Sequence, residues 1–434
     1  MEDIAEMRRV LLLLTLVSSL LPLAPARAVP PAAGGAFASG NVDLIANIPD
    51  VAAIGARVVG DTMYVTTSQG LRVYDLAVAD GIPVLSGILE LPHFENEDVD
   101  TNGEILLIAA DSSGLAGTIG NMLYVISLKP VPVVAGVLPF PGDAHTVSCI
   151  DDCKYAWLAG ASRMYVVDLN NPAAPKQIGY ITVPGGTHDV QTDATGINWV
   201  VGGGGMRGFR TTADPLAPEL VAFTGRRSDT NGPEFNSNFI LHNSMRPNAD
   251  LATPADLADD DIDDGELVLV TEEDWLAATN DLCENDGQFQ TGWLREVDGR
   301  IVVERLDGFN LGGGTVSQAQ KPIGAVACSS HYFDYRDDVM AVAWYEQGVR
   351  FLDVSKPDDI RQIGYYMPAV TETWSVLFHG DHVYTIDIAR GIDVLKFTGQ
   401  AGDVTALAPR YNTPSTLSAP SERWGYACRI PLAR

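Results

Sequence analysis

Short segments in which apolar and polar residues alternate recur through most of the chain. The clearest set consists of six-residue segments that share one pattern. Each is rich in aliphatic and aromatic residues and ends with Asp or Ser followed by Leu or Val: Leu71–Leu76, Leu123–Leu128, Met164–Leu169 and Val349–Val354. A turn region and another apolar segment follow each of these: Pro83–Ile88, Pro132–Val137, Lys176–Ile181 and Arg361–Tyr366. Alternation with a period of two, broken by turn residues at intervals of roughly 8 to 12 positions, predicts β-strands joined in meanders. We therefore expect an all-β fold, which 42 glycines and 26 prolines also favour.

The segments group into repeated units of four predicted strands. We count seven units, at about 54–92, 93–141, 142–184, 185–225, 226–314, 315–368 and 369–398. The last unit is short of an outer strand, and Val42–Pro49 near the N-terminus has the alternation of such a strand. Pairing between the two would close a ring and cover the exposed edges. The sequence thus predicts a seven-bladed β-propeller over 36–399, closed by an N-terminal strand, with insertions in blade five at about 246–290.

Two of the repeated segments resemble a known family. Met164–Pro172 and Val349–Pro357 look like the LVIVD repeat of secreted bacterial β-propellers, and the similarity extends over most of 42–398. This resemblance implies a propeller fold and export from the cytoplasm. It implies little about function.

Histidine recurs at one position of the repeat, the residue that opens the first strand of each unit. Taken unit by unit, this position holds Ile54, Glu97, His145, His188, His242, His331 and Trp374. The spacing from His145 to His188, and from His331 to Trp374, is 43 residues. In a propeller the first strands line the central channel, so four imidazoles would converge near its mouth.

Converging neutral imidazoles are the ligands that Fe(II), Cu and Zn prefer. We predict a transition metal, Fe or Cu ahead of Zn, held by His145, His188, His242 and His331. The alternative is that the histidines bind no metal and hydrogen-bond the inner strands or waters together. A purely structural role predicts a histidine in nearly every unit, whereas here four consecutive units carry one.

Further residues are candidates for the surroundings of the metal. Imidazole ligands usually have a carboxylate or carbonyl on the far nitrogen, and the nearest acidic residues in sequence are Glu97, Asp143, Asp189 and Glu372. Aromatic and basic residues expected on the same face as the histidines could form a pocket: Trp374, Trp344, Tyr345, Trp275, Arg207 and Arg390. For any one of these, ordinary packing is the alternative. In arrangement the histidines resemble, more distantly, the selenium-binding protein/methanethiol oxidase and carotenoid-oxygenase propellers, which implies a metal on axial histidines.

Other motifs are weaker. The acidic run 259–266 has the carboxylate density of a Ca²⁺ loop, but its spacing does not match an EF-hand, and a solvated loop is the alternative. Gly202–Gly205 precedes no predicted helix, so we do not expect it to bind phosphate. The segment 400–434, rich in proline, serine and threonine, is predicted to be a C-terminal tail.

The N-terminus predicts export. Arg8 and Arg9 precede the apolar run Val10–Val17, and Ala26-Arg27-Ala28 has the form of a cleavage site, so 1–28 reads as a signal peptide. A membrane anchor is the weaker alternative, because Pro22, Pro25 and Arg27 interrupt the apolar run; we expect no transmembrane segment in the mature chain. Cys149 and Cys153 flank a predicted turn and could form a disulfide, whereas Cys283, Cys328 and Cys428 cannot be paired from sequence.

The formal net charge of -28 argues against nucleic acid as a partner, since binding it requires a basic face. A monomer is expected. Two functional hypotheses remain open. The first is an exported oxidoreductase that acts on a small molecule through an axial metal. The second is a non-catalytic secreted propeller that binds a protein, glycan or cell-surface ligand.

Overall fold

The computed structural model describes residues 36–50, 52–91, 98–110, 121–139, 145–160, 163–224, 235, 240–273, 287–311, 329–403 and 409–410. The signal peptide predicted at 1–28 lies outside the described residues, as do Cys283, Cys328, Cys428 and most of the predicted tail. Within the described part of the chain the only helical segment is one 3-10 turn, Asp256–Ala258, and no helix there is long and apolar enough to cross a membrane.

The described residues form thirty β-strands. The first ten in chain order are β1 (Ala36–Ser39), β2 (Val42–Ile48), β3 (Ala53–Val59), β4 (Thr62–Thr67), β5 (Gly70–Asp75), β6 (Val84–Glu90), β7 (Val99–Thr101), β8 (Ile105–Ala110), β9 (Met122–Ser127) and β10 (Val133–Pro139). The next ten are β11 (Thr146–Ile150), β12 (Tyr155–Ala159), β13 (Arg163–Asp168), β14 (Lys176–Thr182), β15 (Asp189–Thr192), β16 (Ile197–Gly202), β17 (Gly205–Arg210), β18 (Glu219–Phe223), β19 (Ile240–Met245) and β20 (Leu267–Glu273). The last ten are β21 (Phe289–Val297), β22 (Arg300–Phe309), β23 (Phe333–Arg336), β24 (Val339–Ala343), β25 (Val349–Asp353), β26 (Arg361–Pro368), β27 (Thr373–His379), β28 (His382–Asp387), β29 (Gly391–Phe397) and β30 (Pro409–Arg410).

These strands pair into six sheets, built from antiparallel four-stranded meanders. Four sheets have four strands: β3–β6, β7–β10, β11–β14, and β27–β29 with β2 on the outside. The fifth, β23–β26, is extended by β1 and β30, and the sixth joins β15–β18 to β19–β22. The join is a short parallel pairing in which Ala222 and Phe223 face Ile301 and Val302. The sequence predicted separate units and did not predict this join.

The sheets follow one another around a central axis, which is the arrangement of a β-propeller. The first strand of each meander contacts that of the next, in the series β3, β7, β11, β15 and β19, and again from β23 through β27 back to β3. The predicted pairing of Val42–Pro49 with the last sheet is observed, since β2 is antiparallel to β29 from Val42↔Phe397 to Ile48↔Ile392.

Two-residue hairpins set the register of several strand pairs. Asp337 and Asp338 connect β23 to β24 with φ of 50° and 62°, and Asp298 and Gly299 connect β21 to β22 with φ of 52° and 76°. Positive φ at both central residues is the geometry that matches the right-handed twist of a hairpin, and Asp and Gly tolerate it best. At the β11–β12 turn, Cys149 and Cys153 are joined by the disulfide that their spacing suggested.

The apolar core lies between facing sheets. Each of the seven larger clusters of buried side chains among the described residues combines residues from two successive meanders, as where Trp157 of β12 packs with Val200 and Phe209 of the next meander. Each sheet is therefore buried on both faces by its neighbours, and the polar channel positions lie at the inner edge of this core.

Candidate metal centre

The four histidines of the repeat lie at equivalent places at the inner edge of the sheets. Three of them precede an innermost strand and donate their backbone N–H to the second strand: His145 to Ala159 (3.0 Å), His188 to Val201 (2.7 Å) and His331 to Ala343 (2.9 Å). These hydrogen bonds fix the backbone at each histidine relative to its own sheet.

His242 reaches the same place by a β-bulge. In the pairing of β19 with β20 the register shifts between Leu241 and Asn243, and the same shift occurs around Ile54 in β3 and around Trp374 in β27. A bulge inserts one residue into a strand and redirects its side chain. The shared bulge therefore supports the alignment of Ile54 and Trp374 with His242 at one position of the repeat.

The four imidazoles form a continuous row of buried rings. Ring centroids are 4.7 Å apart for His145 and His188, 4.3 Å for His188 and His242, and 3.9 Å for His242 and His331. All four side chains are buried, His242 and His331 completely. Burial favours the neutral form of an imidazole, which is the form that binds a metal.

Two of the imidazoles contact the backbone of the next sheet. Nδ1 of His188 lies 3.3 Å from the carbonyl oxygen of His242, and Nδ1 of His331 lies 2.7 Å from that of Trp374. A carbonyl oxygen only accepts, so these contacts require the proton on Nδ1 and leave the lone pair on Nε2. The same contacts tie neighbouring sheets together, so they are compatible with metal ligation and with a structural role.

Glu273 completes a group of metal-ligating atoms with two of the histidines. Ligand atoms of His188, His242 and Glu273 all lie within 4.8 Å of one another, and all three residues are buried. Oε2 of Glu273 is 4.0 Å from Nε2 of His188. His145 and His331 flank this group but are not part of it, so the structure places two of the four predicted ligands together with a carboxylate.

Sequence reasoning did not single out Glu273. It is the last residue of β20 and pairs with Ile240, beside His242 in the neighbouring strand. The signal that could have found it is the pair Glu272-Glu273, two completely buried carboxylates at the end of a strand that begins with four aliphatic residues. Buried carboxylates are rare without a partner or a metal.

Tyr345 and Trp374, two of the residues considered for a pocket, lie at the His331 end of the histidine row. The Tyr345 hydroxyl donates a hydrogen bond to Oε1 of Glu273, and the Tyr345 ring lies 4.8 Å from that of His331. The Trp374 ring lies 5.1 Å from His331. Tyr345 and Trp374 also pack with Ile54 in a small apolar cluster. The histidine row is thus followed, beyond His331, by aromatic and apolar side chains.

Asp189 and Glu372, predicted as partners of the imidazoles, make other contacts. The Asp189 carboxylate accepts hydrogen bonds from the Val190 N–H and the Asn243 side-chain amide, and burial raises its pKa to about 6. Glu372 accepts from the Trp374 indole N–H at 3.4 Å. Burial and the nearby Asp387 carboxylate raise the pKa of Glu372 to about 8.

The remaining predicted pocket residues are engaged elsewhere. Trp344 is a buried residue that packs against Phe309 with ring centroids 5.9 Å apart. Arg207 donates to the Gly204 carbonyl at 2.8 Å, and Arg390 forms a two-pronged ion pair with Asp393. Glu97, Asp143 and Trp275 lie outside the described residues.

The acidic run 259–266 does not gather its carboxylates around one point. The Asp259 carboxylate accepts a hydrogen bond from the N–H of Asp261. The Glu266 carboxylate accepts one from the N–H of Asp263, so both hydrogen bonds stay within the loop. Asp260 is 97% exposed and pairs with Arg295. Among the residues that the structure describes, the group of three or more potential ligands is the one at His188, His242 and Glu273. A Ca²⁺ site in this loop stays a prediction.

The residues at the channel mouth fit a divalent transition metal. Two imidazoles and one carboxylate are a donor set that such ions accept while leaving coordination positions open. Ligands of one ion lie roughly 3–4 Å apart, so the observed separation is close to that of a formed site.

Comparisons with known proteins establish the fold only. No protein-family model matches the chain, and no curated protein matches it in sequence. The β-propeller domain of Cps50 (Swd1) from Myceliophteria thermophila is similar over 82% of this chain and 100% of that domain, with a TM-score of 0.55 and 12% sequence identity. The WD40 β-propeller domain of Doa1 matches 82% of this chain and 97% of its own length, with a TM-score of 0.49 and 10% identity. The likeness to the Cps50 domain supports a β-propeller, and membership of the LVIVD-repeat family stays a prediction.

Proposed function

We propose that this protein is an exported seven-bladed β-propeller that binds one divalent transition-metal ion at the mouth of its channel and uses it in oxidoreductase chemistry on a small molecule. The observation that carries the proposal is the buried convergence of His188, His242 and Glu273, whose ligand atoms lie within 4.8 Å of one another. Three ligands on a rigid sheet framework leave room for an oxygen, a water or a substrate atom on the ion.

The donor set favours iron. Two histidines and one carboxylate with open positions are the ligands of non-haem Fe(II) oxygenases. Copper is the second candidate, since His145 and His331 would add two more imidazoles, and zinc is the third. When bound, the ion would supply redox or Lewis-acid chemistry, while this chain supplies a dry, aromatic-lined mouth through Tyr345 and Trp374.

A count of seven blades rests on dividing the eight-stranded sheet into two meanders. Each half has the strand order of the other meanders, and the two are joined through two paired residues on each side. The apolar clusters between successive meanders support this count. One cluster joins Trp199 of β16 to Val268 of β20, so the two halves of the eight-stranded sheet pack face to face as separate sheets do.

Export is supported by the predicted signal peptide and by the Cys149–Cys153 disulfide, since disulfides persist in oxidising compartments. The strongly acidic composition disfavours binding to nucleic acid. We place the protein outside the cytoplasm, as a monomer in the cell envelope or beyond it.

Metal content of the purified protein tests the proposal. We expect close to one equivalent of Fe or Cu per chain after expression in metal-supplemented medium, and loss of that metal in His188→Ala and Glu273→Gln. His379→Ala is the matched control, because His379 lies off the repeat position, half-buried beside Asp61 at 3.6 Å. A correctly folded wild-type protein that binds no Fe, Cu or Zn in titration contradicts the proposal.

A second candidate function has its own supporting observation. The contacts from Nδ1 of His188 and His331 to the next sheet are those of histidines that hold a propeller together. In that case the protein is a non-catalytic secreted propeller that binds a ligand through its loop face. Metal-free protein in which His188→Ala and His331→Ala lower the melting temperature would favour this function over the first.

A further inference from the structure

Arg350 is a completely buried cation that has no carboxylate partner among the described residues. Its side chain is 1% exposed, and Nε and Nη1 have no hydrogen-bond partner among the described residues. In the described part of the chain Nη2 has one hydrogen-bond acceptor, the Met367 sulfur at 3.7 Å, and the guanidinium lies 5.6 Å from the centre of the Tyr365 ring. A sulfur atom and an aromatic ring offset little of the cost of removing a charge from water.

Two other arginines among the described residues are paired with carboxylates. Arg246, 7% exposed, donates to the Gly265 carbonyl at 2.6 Å and to Asp193 at 3.1 Å. Arg390 is paired with Asp393. Burial lowers the pKa of Arg350 to about 10, so the side chain is still protonated at neutral pH. Arg350 therefore carries a positive charge into the interior that the described residues do not neutralise.

A second polar side chain on the same sheet face also has unused hydrogen-bonding atoms. Arg350 pairs with Tyr365 across β25 and β26, and Leu352 pairs with Gln362, so these four side chains lie on one face. Oε1 and Nε2 of Gln362 are buried and have no partner among the described residues. Buried polar atoms are nearly always paired, so two such groups on one face point to a missing ligand.

The surroundings determine the kind of ligand. Leu352 belongs to the apolar cluster between this sheet and β19–β22, and Val342 of the same cluster pairs with Arg350 on the other side. One positive charge in apolar surroundings is balanced by one negative charge, and a dianion such as phosphate would leave an excess buried charge. A guanidinium binds a planar carboxylate through two parallel hydrogen bonds.

We propose that Arg350, with Gln362 as a second polar contact, forms an internal binding site for a small monocarboxylate with an apolar body. The site lies between the β23–β26 sheet and the β19–β22 meander. The carboxylate of the ligand would bind Arg350, and the apolar body of the ligand would pack against the surrounding core side chains. This site is independent of the proposed metal centre.

Thermal unfolding at constant ionic strength tests the site. Acetate, butyrate and hexanoate are titrated from about 1 to 100 mM against chloride, with inorganic phosphate as the dianion. We expect the melting temperature of the wild-type protein to rise by a few degrees with the monocarboxylates, at lower concentration for the longer chains, and not with phosphate. Arg350→Met should lose this response and melt at or above the ligand-free wild type, because it removes an unpaired buried charge.

Two further variants keep the test decisive. Arg350→Lys retains the charge without the planar fork and should need about tenfold more carboxylate for the same shift. Lys356→Met, which removes one exposed positive charge from the loop after β25, should respond as the wild type does. The proposal is overturned if no monocarboxylate raises the wild-type melting temperature, if Arg350→Met responds equally, or if phosphate stabilises as well as hexanoate does.

Discussion

Tyr345 has a backbone conformation that a bulky residue rarely adopts. Its φ is 38°, in the left-handed region, which costs roughly 1–3 kcal/mol for such a residue. The conformation is held by hydrogen bonds from the N–H groups of Thr373 (3.0 Å) and Gly348 (3.1 Å) to the Tyr345 carbonyl. Strain of this kind persists at sites where side-chain placement matters, and here it directs the phenol to Glu273.

We predict that Tyr345→Phe weakens metal binding without unfolding the protein. The ring and the backbone are retained, but Oε1 of Glu273 loses the hydrogen bond from Tyr345 and the carboxylate is less well oriented. Affinity for the metal should fall about 10–100-fold, measured by titration of the metal-free protein with Co(II) or Fe(II). The metal-free protein should lose only about 1 kcal/mol of unfolding free energy.

The control for this variant is Tyr335→Phe, which removes a hydroxyl that donates to Asp338 on an exposed turn at 2.8 Å. Its metal affinity should equal that of the wild type. Equal affinities for Tyr345→Phe and the wild type would show that the tyrosine does not orient the carboxylate.

Glu372 makes stability depend on pH. Its pKa is raised to about 8, first by burial and then by the Asp387 carboxylate, whereas a glutamate in an unfolded chain has a pKa of about 4.3. As the pH rises between these values, the unfolded chain loses its proton before the folded protein does. The free energy of unfolding contributed by this group is therefore present below about pH 4 and lost by about pH 8.

We predict that Glu372→Gln removes this loss, because glutamine stays neutral and can still accept the Trp374 N–H. Urea unfolding at pH 5 and pH 9 measures the free energy of unfolding. From pH 5 to pH 9 this free energy should decrease less for the variant than for the wild type, and at pH 5 the two should be similar. Glu104→Gln, at an exposed turn of another sheet, should show the same change in free energy of unfolding with pH as the wild type. An unchanged slope in Glu372→Gln would assign the pH dependence to other groups.

At the level of elements, β2 completes the last sheet although it is far from β29 in sequence. Alternate residues of β2 point into the core: Ala46 is 3% exposed and packs in the cluster that joins β27–β29 to β3–β6, while Ile45 is 41% exposed. The Asn47 side chain adds a hydrogen bond to Asp393 at 2.7 Å. The strand is thus held by its ladder, its buried face and one polar contact.

We predict that Ala46→Asp detaches this strand and Ile45→Asp does not. A carboxylate at position 46 would be buried without a partner, at a cost of about 3–5 kcal/mol, whereas position 45 faces solvent and should change stability by less than about 0.5 kcal/mol. Chemical denaturation measures both. Equal destabilisation by the two substitutions would mean that β2 does not use one face for closure.

Much of the architecture could be predicted from the sequence because alternation reports burial strand by strand. The pairing of Val42–Pro49 and the position of the histidines follow from it. Glu273 and Trp344 could not be placed in this way. Glu273 comes beside His242 only through a bulge in the β19–β20 ladder. Trp344 follows the end of β24 and packs against Phe309 of the neighbouring sheet. Register and bulges are set by packing between sheets, which no local pattern records.

The whole molecule carries a large excess of one charge. There are 56 acidic and 28 basic residues, for a formal net charge of -28. The ion pairs on the described surface, such as Arg361 with Asp359, neutralise only a part of it. A closed, compact ring holds these charges closer together than an unfolded chain does, so repulsion among them opposes folding.

We therefore predict that salt stabilises this protein at neutral pH. Screening shortens the range of repulsion from about 30 Å at 0.01 M to about 8 Å at 0.15 M ionic strength, so the melting temperature should rise by a few degrees over that interval and level off beyond it. At a pH near the calculated isoelectric point of 4.4 the net repulsion is absent, and the same salt series should have little effect. Calorimetry in sodium chloride at both pH values, with the metal site kept in one state by a chelator, separates this effect from ligand binding. A melting temperature at pH 7 that stays constant or falls as salt is added would mean that attractive ion pairs, rather than net repulsion, dominate the electrostatics of the folded ring.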